Sequence, residues 1–356
     1  MKTLRRPPVR WLIAAVLFAE TLLAYLDMQE LAVLAPTLRT AMGVGNSEYA
    51  TIMQAFLIAY TVTFLLGGMV IDWLGVRRGL AIALAWWSVA GGLHAFANTP
   101  GELAICRMLL GIAYPAAFLA AARAVSEWYP PRERGFVYGL YVSGATFGAI
   151  VAYPLVTWMS LVWNWRAPFL LTGAAGLLLT VVWLLVYHSP ETHPRVTDEE
   201  RDYVTRDRPP VDYASGSPVP VLIRSRVFWA VGLGRFVADN TWMFYPIWLS
   251  KFLAEGTGLS MATVGAVGWI PFLFADIGGV AGGWLSGRLI GRGYAPRSAR
   301  VAVLFLVSVV RTFTFVLAFH HSTPVLIGLL SLFMILKTAV SRTSIPVEPY
   351  FQLSFR

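Results

Sequence analysis

Ten separate stretches of this chain are long enough and apolar enough to cross a lipid bilayer as helices. A spanning helix needs roughly 20 mainly apolar residues. The predicted spans are residues 11–34, 49–71, 79–97, 102–125, 135–161, 166–187, 227–253, 262–285, 301–320 and 324–340. Only 13% of the residues are charged, whereas soluble domains carry about 25%. The pattern therefore predicts an all-α membrane protein, and it excludes a cytosolic dinucleotide-binding enzyme, a secreted disulfide scaffold and a disordered chain.

One long polar joint divides the predicted spans into a group of six and a group of four. Residues 1–188 are expected to form an N-terminal six-helix bundle, and residues 189–226 a cytoplasmic central loop. In that loop, Thr197 followed by three acids predicts the capped start of a short surface helix. Residues 227–340 are expected to form an incomplete, four-helix C-terminal bundle, and residues 341–356 an atypical polar tail.

Lys and Arg are distributed very unevenly among the predicted joints. Eighteen of them lie in the N-terminal tail and the even-numbered joints, against three in the odd-numbered joints. Cytoplasmic loops of membrane proteins carry such an excess, so the N-terminus and the central loop are predicted to be cytoplasmic. The net charge of +9 is then an orientation signal. The expected partner is the lipid bilayer, and no nucleic-acid partner is expected.

Two joints, after the second and the eighth predicted span, share a pattern of Gly and Arg. The matching residues are Gly68, Asp72, Gly75, Arg77 and Arg78 in the first joint, and Gly283 and Arg288 in the second. Corresponding patterns are expected where a six-helix half has been duplicated, and glycines let helices approach closely. Asp72 is expected to cap a helix or pair with a cation across the joint. The alternative is an ordinary basic inner loop, which would not need the glycine spacing.

The first of these joints resembles the signature loop of the major facilitator superfamily, and residues 103–111 (Leu-Ala-Ile-Cys-Arg-Met-Leu-Leu-Gly) resemble its helix-four motif. Residues 24–27, 126–130, 197–203, 234–236 and 273–276 are similar to the anion:cation symporter branch, and most similar to its hexuronate transporters. The resemblance implies a carrier in a bacterial inner membrane, and the carrier is expected to be a monomer. It would take up a small organic anion, a hexuronate or a related sugar acid, with protons as the coupling ion and by alternating access.

Charged side chains within the predicted spans are candidate functional groups, because each costs at least a few kcal/mol in the bilayer core. Glu20 and Asp27 are seven residues apart in the first span, two turns along one helix face. Asp27 is the predicted proton-coupling carboxylate, and a permanently paired structural aspartate is the alternative. Glu30 is expected nearer the outer face, at the interface.

Arg107 is predicted to face the interior, where it could pair with Asp27 or bind an anion. The family resemblance favours a coupling role for Arg107, and a purely structural salt bridge is the alternative. Arg123 and Glu127 are spaced to form an i, i+4 ion pair.

Four aromatic residues are candidate substrate contacts: Tyr25, Tyr60, Trp242 and Tyr245. The two earlier tyrosines match positions where the symporter family places substrate-facing tyrosines. The two later residues share a helix face, and the alternative is that they belong to an aromatic belt at the membrane interface. In the same span, Arg235 and Asp239 are expected to form a structural i, i+4 ion pair.

Three residues depart from the family pattern: Met28, Tyr114 and Ala145 stand where relatives carry an arginine, an acid and a glutamine. A facilitator-superfamily carrier of a different organic acid, or of a neutral or aromatic substrate, is therefore an alternative. No catalytic, phosphate-binding or metal-ligand motif is present. No enzymatic activity, cofactor or metal is expected, and a membrane-embedded enzyme is the alternative outside transport.

The length of the chain raises a further alternative. The first half occupies 178 residues, and a second copy starting at residue 227 would end near residue 404, whereas the chain has 356 residues. The expectation is a shortened C-terminal bundle, whose interior polar groups would face lipid. A truncated, inactive carrier fragment is therefore the alternative to an active transporter.

Overall fold

The computed structural model describes residues 8–205, 224–226, 228–229, 232–233, 246–294 and 323–343. These residues form helices and the turns that join them, and no strand occurs among them. The chain contains two compact units, Met1–Phe252 and Leu253–Arg356. The predicted all-α membrane fold is thereby confirmed, while the predicted domain boundaries remain predictions.

The first unit is built from long apolar helices. They are α1 (Val9–Met42), α2 (Asn46–Leu93), α3 (Pro100–Trp128), α4 (Pro131–Val162) and α5 (Ala167–Val186), with a 3₁₀ turn (His94–Phe96) after α2. All five are long and apolar enough to cross a membrane. Thr99 caps α3, because its side chain accepts a hydrogen bond from the Glu102 amide, and prolines occupy the first turns of α3, α4 and α5.

Helix α2 is interrupted at Gly75, where φ is +73° and ψ is 161°. This left-handed conformation is open to glycine and strained for other residues. Together with the 3₁₀ turn the helix covers 51 residues, about 77 Å at 1.5 Å per residue, which is far more than one crossing requires. We interpret α2 as two crossings separated at Gly75. The predicted joint there is a single-residue break rather than a loop.

Glycines allow α1 and α4 to pack at backbone distance. A Cβ on Gly148 would lie 2.2 Å from the carbonyl oxygen of Leu22, and one on Gly144 would lie 2.6 Å from that of Phe18. Gly111 on α3 meets the carbonyl oxygen of Phe56 on α2 in the same way, at 2.5 Å. Since small residues let membrane helices approach closely, these positions set how closely α4 packs on α1 and α3 on α2.

A short helix, α6 (Asp198–Thr205), lies in the predicted central loop and contacts the start of α1. Thr197 Oγ1 accepts a hydrogen bond of 3.2 Å from the Glu200 amide, which confirms the predicted cap. The Glu200 carboxylate accepts hydrogen bonds from the Val9 and Arg10 amides at 3.3 and 3.1 Å. A side chain of α6 thus satisfies two amides that the first turn of α1 leaves free.

Residues 246–251 are helical and belong to the first unit, where they contact α2 and α4. The Tyr49 hydroxyl donates a hydrogen bond of 2.6 Å to the carbonyl oxygen of Ile247. The Ser250 hydroxyl donates to the Tyr153 hydroxyl at 3.2 Å. The remainder of the predicted span 227–253 lies mostly outside the described residues.

The second unit contains α7 (Met261–Val267), α8 (Ile270–Gly291) and α9 (Thr323–Thr343), preceded by a π-helical turn at Phe252–Gly256. The predicted span 262–285 coincides with a stretch that is long and apolar enough to cross a membrane, Met261–Gly278, and its helix is interrupted between α7 and α8. Pro271 stands in the first turn of α8 and has no amide hydrogen to continue a helix. A Cβ on Gly278 of α8 would lie 2.1 Å from the Ile335 carbonyl oxygen of α9. The predicted span 301–320 lies outside the described residues.

Candidate functional site

Asp27 is buried at the interface of α1 and α2. Its carboxylate is 2% exposed, and Oδ2 accepts a hydrogen bond of 2.9 Å from the indole N–H of Trp87. A Cβ on Gly91, one helical turn beyond Trp87, would lie 2.7 Å from Asp27 Oδ1. The carboxylate is therefore held by one neutral donor and fits because position 91 lacks a side chain.

Arg107 on α3 is also buried, at 2% exposed, and its Nε and Nη2 atoms have no hydrogen-bond partner among the described residues. The described ion pairs do not include one between Arg107 and Asp27. Of the two contacts anticipated for Arg107, the direct ion pair is therefore not made in this structure. Arg107 instead lines a cavity together with Met28, Gln29 and Met53.

Tyr25 and Tyr60, the two predicted substrate contacts in the first unit, line one cavity. The walls of this tyrosine cavity are Glu20, Thr21, Ala24, Tyr25, Tyr60, Trp87, Tyr114, Ala117 and Phe118. The Tyr114 hydroxyl is buried without a hydrogen-bond partner among the described residues. The structure thus brings one carboxylate and several aromatic rings around a space in the interior of the bundle.

Phe56 lies between the tyrosine cavity and the cavity of Arg107. It lines the cavity of Arg107, and its ring is 5.7 Å from that of Tyr60 and 5.9 Å from that of Tyr114. Trp87 connects Asp27 to the tyrosine cavity, since its ring lines that cavity while its N–H binds the carboxylate.

Glu30 is fully buried, so the prediction of an interfacial position is wrong. The cause is the length of α1, which continues twelve residues beyond Glu30 to Met42, about 18 Å at 1.5 Å per residue. Both carboxylate oxygens of Glu30 lack a hydrogen-bond partner among the described residues. Helix α1 therefore buries three carboxyl groups, Glu20, Asp27 and Glu30.

The glycine and arginine motif of α2 forms a polar network at one end of the bundle. Asp72 pairs with Arg123 of α3, as anticipated for a cation across the joint. Arg123 Nε also lies 3.4 Å from Glu127 Oε1, which confirms the i, i+4 pair. Glu127 accepts a hydrogen bond of 2.6 Å from the Tyr187 hydroxyl.

The arginine that follows the break in α2 connects this network to α5. Arg77 Nη2 donates to the carbonyl oxygen of Leu184 at 2.7 Å, and the Trp183 indole donates to the Arg77 carbonyl at 3.0 Å. Arg78 is exposed, and Gly68 lies within α2 with open space around its Cα. The motif therefore brings α2, α3 and α5 together around Gly75.

The corresponding motif of the second unit lies inside α8 rather than in a joint, because that helix extends to Gly291. Gly283 is a helical residue, and the guanidinium of Arg288 lies 5.0 Å from the centre of the Trp284 ring. Arg235, Asp239, Trp242 and Tyr245 lie outside the described residues, so the predictions for these four side chains stay predictions.

Trp87 and Gly91 are contacts of Asp27 that the sequence did not single out. Trp87 stands next to Trp86 in an apolar run, and nothing in that run indicates which ring faces a carboxylate. In the part of the chain that the structure describes, no three His, Cys, Asp or Glu side chains form a group suited to a metal ion.

Comparison with known proteins shows that the chain is similar to membrane transporters. Residues 3–348 match the family model described as Major Facilitator Superfamily. The hexuronate transporter of Escherichia coli K12 is 34% identical over 280 residues, which are 78% of this chain and 65% of the relative. The galacturonate transporter of Dickeya chrysanthemi is 31% identical over 281 residues, which are 78% of this chain and 81% of that protein. The chain thus spans slightly less than two thirds of the hexuronate transporter.

A crystal structure of a bacterial homologue of the human lysosomal transporter Spinster, inward-facing and unoccupied, shares the fold. The TM-score is 0.74 at 17% sequence identity, and the alignment covers 95% of this chain and 75% of the homologue.

Proposed function

The chain belongs to the Major Facilitator Superfamily, a family of multi-pass membrane transporters and not of enzymes, and from this premise we propose that it is a proton-coupled symporter of an organic anion. The substrate we propose is a hexuronate or a related sugar acid, moved by alternating access. The named activities of the hexuronate and galacturonate transporters support this substrate class. We place the protein in the inner membrane of a bacterium, with its N-terminus in the cytoplasm, as the distribution of Lys and Arg indicates.

The burial and bonding of Asp27 carry the proposal. An ionisable group inside a membrane is costly to maintain and most often serves transport. The Asp27 carboxylate receives one hydrogen bond, from the neutral indole of Trp87, and has no ion-pair partner among the described residues. It can therefore gain and lose a proton without the rupture of a salt bridge. Arg107, buried with two unsatisfied nitrogen atoms, supplies the positive charge that favours release of the proton.

The tyrosine cavity is the proposed substrate site in the first unit. Tyr25 and Tyr60 line it with their aromatic rings, which offer a flat apolar surface and a hydroxyl that can bind sugar OH groups. Trp87 borders this cavity and binds Asp27. Substrate in the cavity and a proton on Asp27 are then separated by one side chain. At that distance, the binding of each can influence the binding of the other. Trp242 and Tyr245 remain proposed contacts.

The network around Gly75 is the proposed gate. Asp72, Arg77 and Arg123 join three helices through an ion pair and backbone hydrogen bonds at one end of the bundle. Asp72 is 65% exposed, and exposed ion pairs contribute about 1 kcal/mol or less. Such a network can break and reform during each transport cycle. Gly68, Gly283, Arg78 and Arg288 are proposed members of the same gating motif.

Uptake measurements on the purified protein in liposomes test this proposal. Labelled glucuronate and galacturonate are supplied with and without a pH gradient, acidic outside, to wild type and to Asp27→Asn. We expect the gradient to accelerate uptake by wild type and to have no effect on Asp27→Asn. Uptake by the variant that still responds to the gradient would contradict the role of Asp27. Absence of gradient-driven uptake of either acid by wild type would contradict the function.

A carrier of a different substrate is the second candidate. Met28 lines the cavity of Arg107, at the position where the resemblance leads one to expect an arginine. The described residues that line the tyrosine cavity include no basic side chain. A panel of labelled sugar acids, neutral sugars and aromatic acids, tested as competitors of uptake, distinguishes the two candidates. Competition by neutral or aromatic compounds alone would favour the second.

A further inference from the structure

Among the described residues, Glu20 is the one carboxylate on the wall of the tyrosine cavity. It is 3% exposed and lies in the middle of the apolar core between α1, α2 and α3. The proposed function rests on Asp27 and gives Glu20 no task. Because a buried carboxylate without a task would be costly inside a membrane, its surroundings indicate what it does.

The hydrogen bond between Glu20 and Thr21 can exist with Glu20 ionised or protonated. Thr21 Oγ1 lies 2.9 Å from Glu20 Oε2 and 3.0 Å from the carbonyl oxygen of Leu17. A hydroxyl has one hydrogen to donate. When Thr21 donates it to the Leu17 carbonyl, the hydrogen in the contact between Thr21 and Glu20 must come from a protonated Glu20 carboxyl. When Glu20 is ionised, Thr21 donates to the carboxylate instead. The site therefore accommodates both protonation states without movement of the heavy atoms.

Among the residues that the structure describes, no cation pairs with Glu20 to hold it in the ionised form. The described residues give it no ion pair. Among the described residues, the titratable side chains nearest to Glu20 are phenols on the neighbouring helices: Tyr25 on α1, Tyr60 on α2, Tyr114 on α3, and Tyr138 and Tyr141 on α4. Asp27 and Arg107 lie beyond them and act on Tyr114. Helix α5 has no titratable residue. The charge of Glu20 is thus set by water, by burial and by whatever occupies the cavity.

We propose that Glu20 is a second proton-accepting carboxylate, and that its protonation admits the anion to the tyrosine cavity. This rests on the proposed function, since it assumes an anionic substrate. An ionised Glu20 repels a second carboxylate in a space of low dielectric constant, whereas a protonated Glu20 offers a hydrogen-bond donor beside the unpartnered hydroxyl of Tyr114. The proton comes from water on the side of entry and returns to water after the anion leaves, and only the O–H bond of Glu20 forms and breaks.

Infrared difference spectroscopy of the full chain in lipid tests the titration of Glu20 without any substrate. Spectra between alkaline and acidic pH are compared for wild type, Glu20→Gln and Glu199→Gln, an exposed glutamate of α6 that serves as the control. We expect one protonated-carboxyl band to be lost in Glu20→Gln, whose amide keeps the size of the side chain, and to remain in the spectrum of the control. Identical spectra for Glu20→Gln and wild type would overturn the proposal.

Binding of glucuronate and galacturonate as a function of pH tests the admission of the anion. In wild type the affinity should fall about tenfold per pH unit once Glu20 is ionised, and Glu20→Gln should remove that part of the dependence, while Glu20→Asp keeps it. A Glu20→Gln variant with the pH dependence of wild type would overturn the admission role even if the infrared band is lost. If wild type binds neither acid at any pH, the proposed substrate class fails and the admission role with it. The infrared band then decides independently whether Glu20 titrates.

Discussion

The indole N–H of Trp87 donates a hydrogen bond of 2.9 Å to the buried carboxylate of Asp27, and the two residues lie on adjacent helices. We expect Trp87→Phe to fold, because one aromatic ring replaces another. The variant should slow gradient-driven uptake by about tenfold or more, because loss of a hydrogen bond to a charged group costs about 1.5–3 kcal/mol. The measurement is the initial rate of uptake in liposomes.

Trp86→Phe is the matched control for that experiment. Trp86 also donates through its indole, to the carbonyl oxygen of Leu109 at 2.9 Å, but its side chain is half exposed at the bundle surface. Equal losses in the two variants would show that the effect is one of general packing and not of the bond to Asp27.

The contact between α1 and α4 depends on the absence of a side chain at position 148. Since a Cβ there would lie 2.2 Å from the carbonyl oxygen of Leu22, Gly148→Ala forces the two backbones apart. We expect a loss of about 1–3 kcal/mol in stability, typical of an overpacked core, seen as a lower midpoint of thermal unfolding in detergent. Gly139→Ala, on the same helix with nothing within 4 Å of the added atom, should unfold like wild type. A similar midpoint for all three proteins would refute the close approach.

The ion pair between Asp72 and Arg123 should matter more for transport than for stability. Both side chains are partly exposed, so Asp72→Asn should change the unfolding free energy by less than about 1 kcal/mol. If the pair is part of the gate, the variant should still bind substrate but lose most of its uptake. Binding and uptake measured on the same preparation decide this, and an unchanged uptake rate would argue against a gating role.

Protonation of His193 at low pH should weaken the packing of the segment that leads from α5 into α6. The Arg195 amide donates to His193 Nδ1 at 3.1 Å, so the proton resides on Nε2, which donates to the Val186 carbonyl at 3.1 Å. Burial lowers the pKa of His193 below its ordinary value of 6.5. The folded state therefore prefers the neutral ring, and stability is lost as the pH falls below about 6.5.

Hydrogen exchange of the amides in α6 measures this effect. In wild type, lowering the pH from 7.5 to 5.5 (about one unit either side of the ordinary histidine pKa) should accelerate exchange, after correction for the pH dependence of exchange in an unfolded chain. It should not do so in His193→Gln, whose amide can make both hydrogen bonds at either pH. His188→Gln is the control, because His188 packs against His193 at 5.4 Å and should leave the pH effect in place. Persistence of the acceleration in His193→Gln would assign it to another group.

The spans of the first unit could be predicted from the sequence because the length of apolar runs is set by the thickness of the bilayer. Their ends could not. Helix α1 passes Leu34, where the apolar run ends, and reaches Gly43, whose left-handed conformation terminates it. Because of this difference the sequence predicts an interfacial Glu30, whereas the structure buries that side chain.

Within the candidate site, the sequence indicated the carboxylates, the arginine and the tyrosines, because charged and polar groups stand out in apolar helices. It could not indicate which of them meet. Tyr25 and Tyr60 share a cavity with Glu20, whereas Arg107 lines another cavity beyond Phe56. Those contacts are set by helix rotation, which depends on close approaches such as that of Gly111 to Phe56.

Proton movement driven by substrate tests the central claim most directly, namely that Asp27 carries the coupled proton. Wild type and Asp27→Asn are reconstituted in liposomes that contain a pH-sensitive dye, with no initial pH gradient, and galacturonate or glucuronate is added outside. For the exchange measurement, a parallel set of vesicles also contains the unlabelled acid. The account predicts that the lumen of wild-type vesicles becomes acidic as the sugar acid enters, and that Asp27→Asn vesicles exchange labelled for unlabelled substrate without any change in pH. Acidification in the Asp27→Asn vesicles at the wild-type ratio of protons to substrate would contradict it.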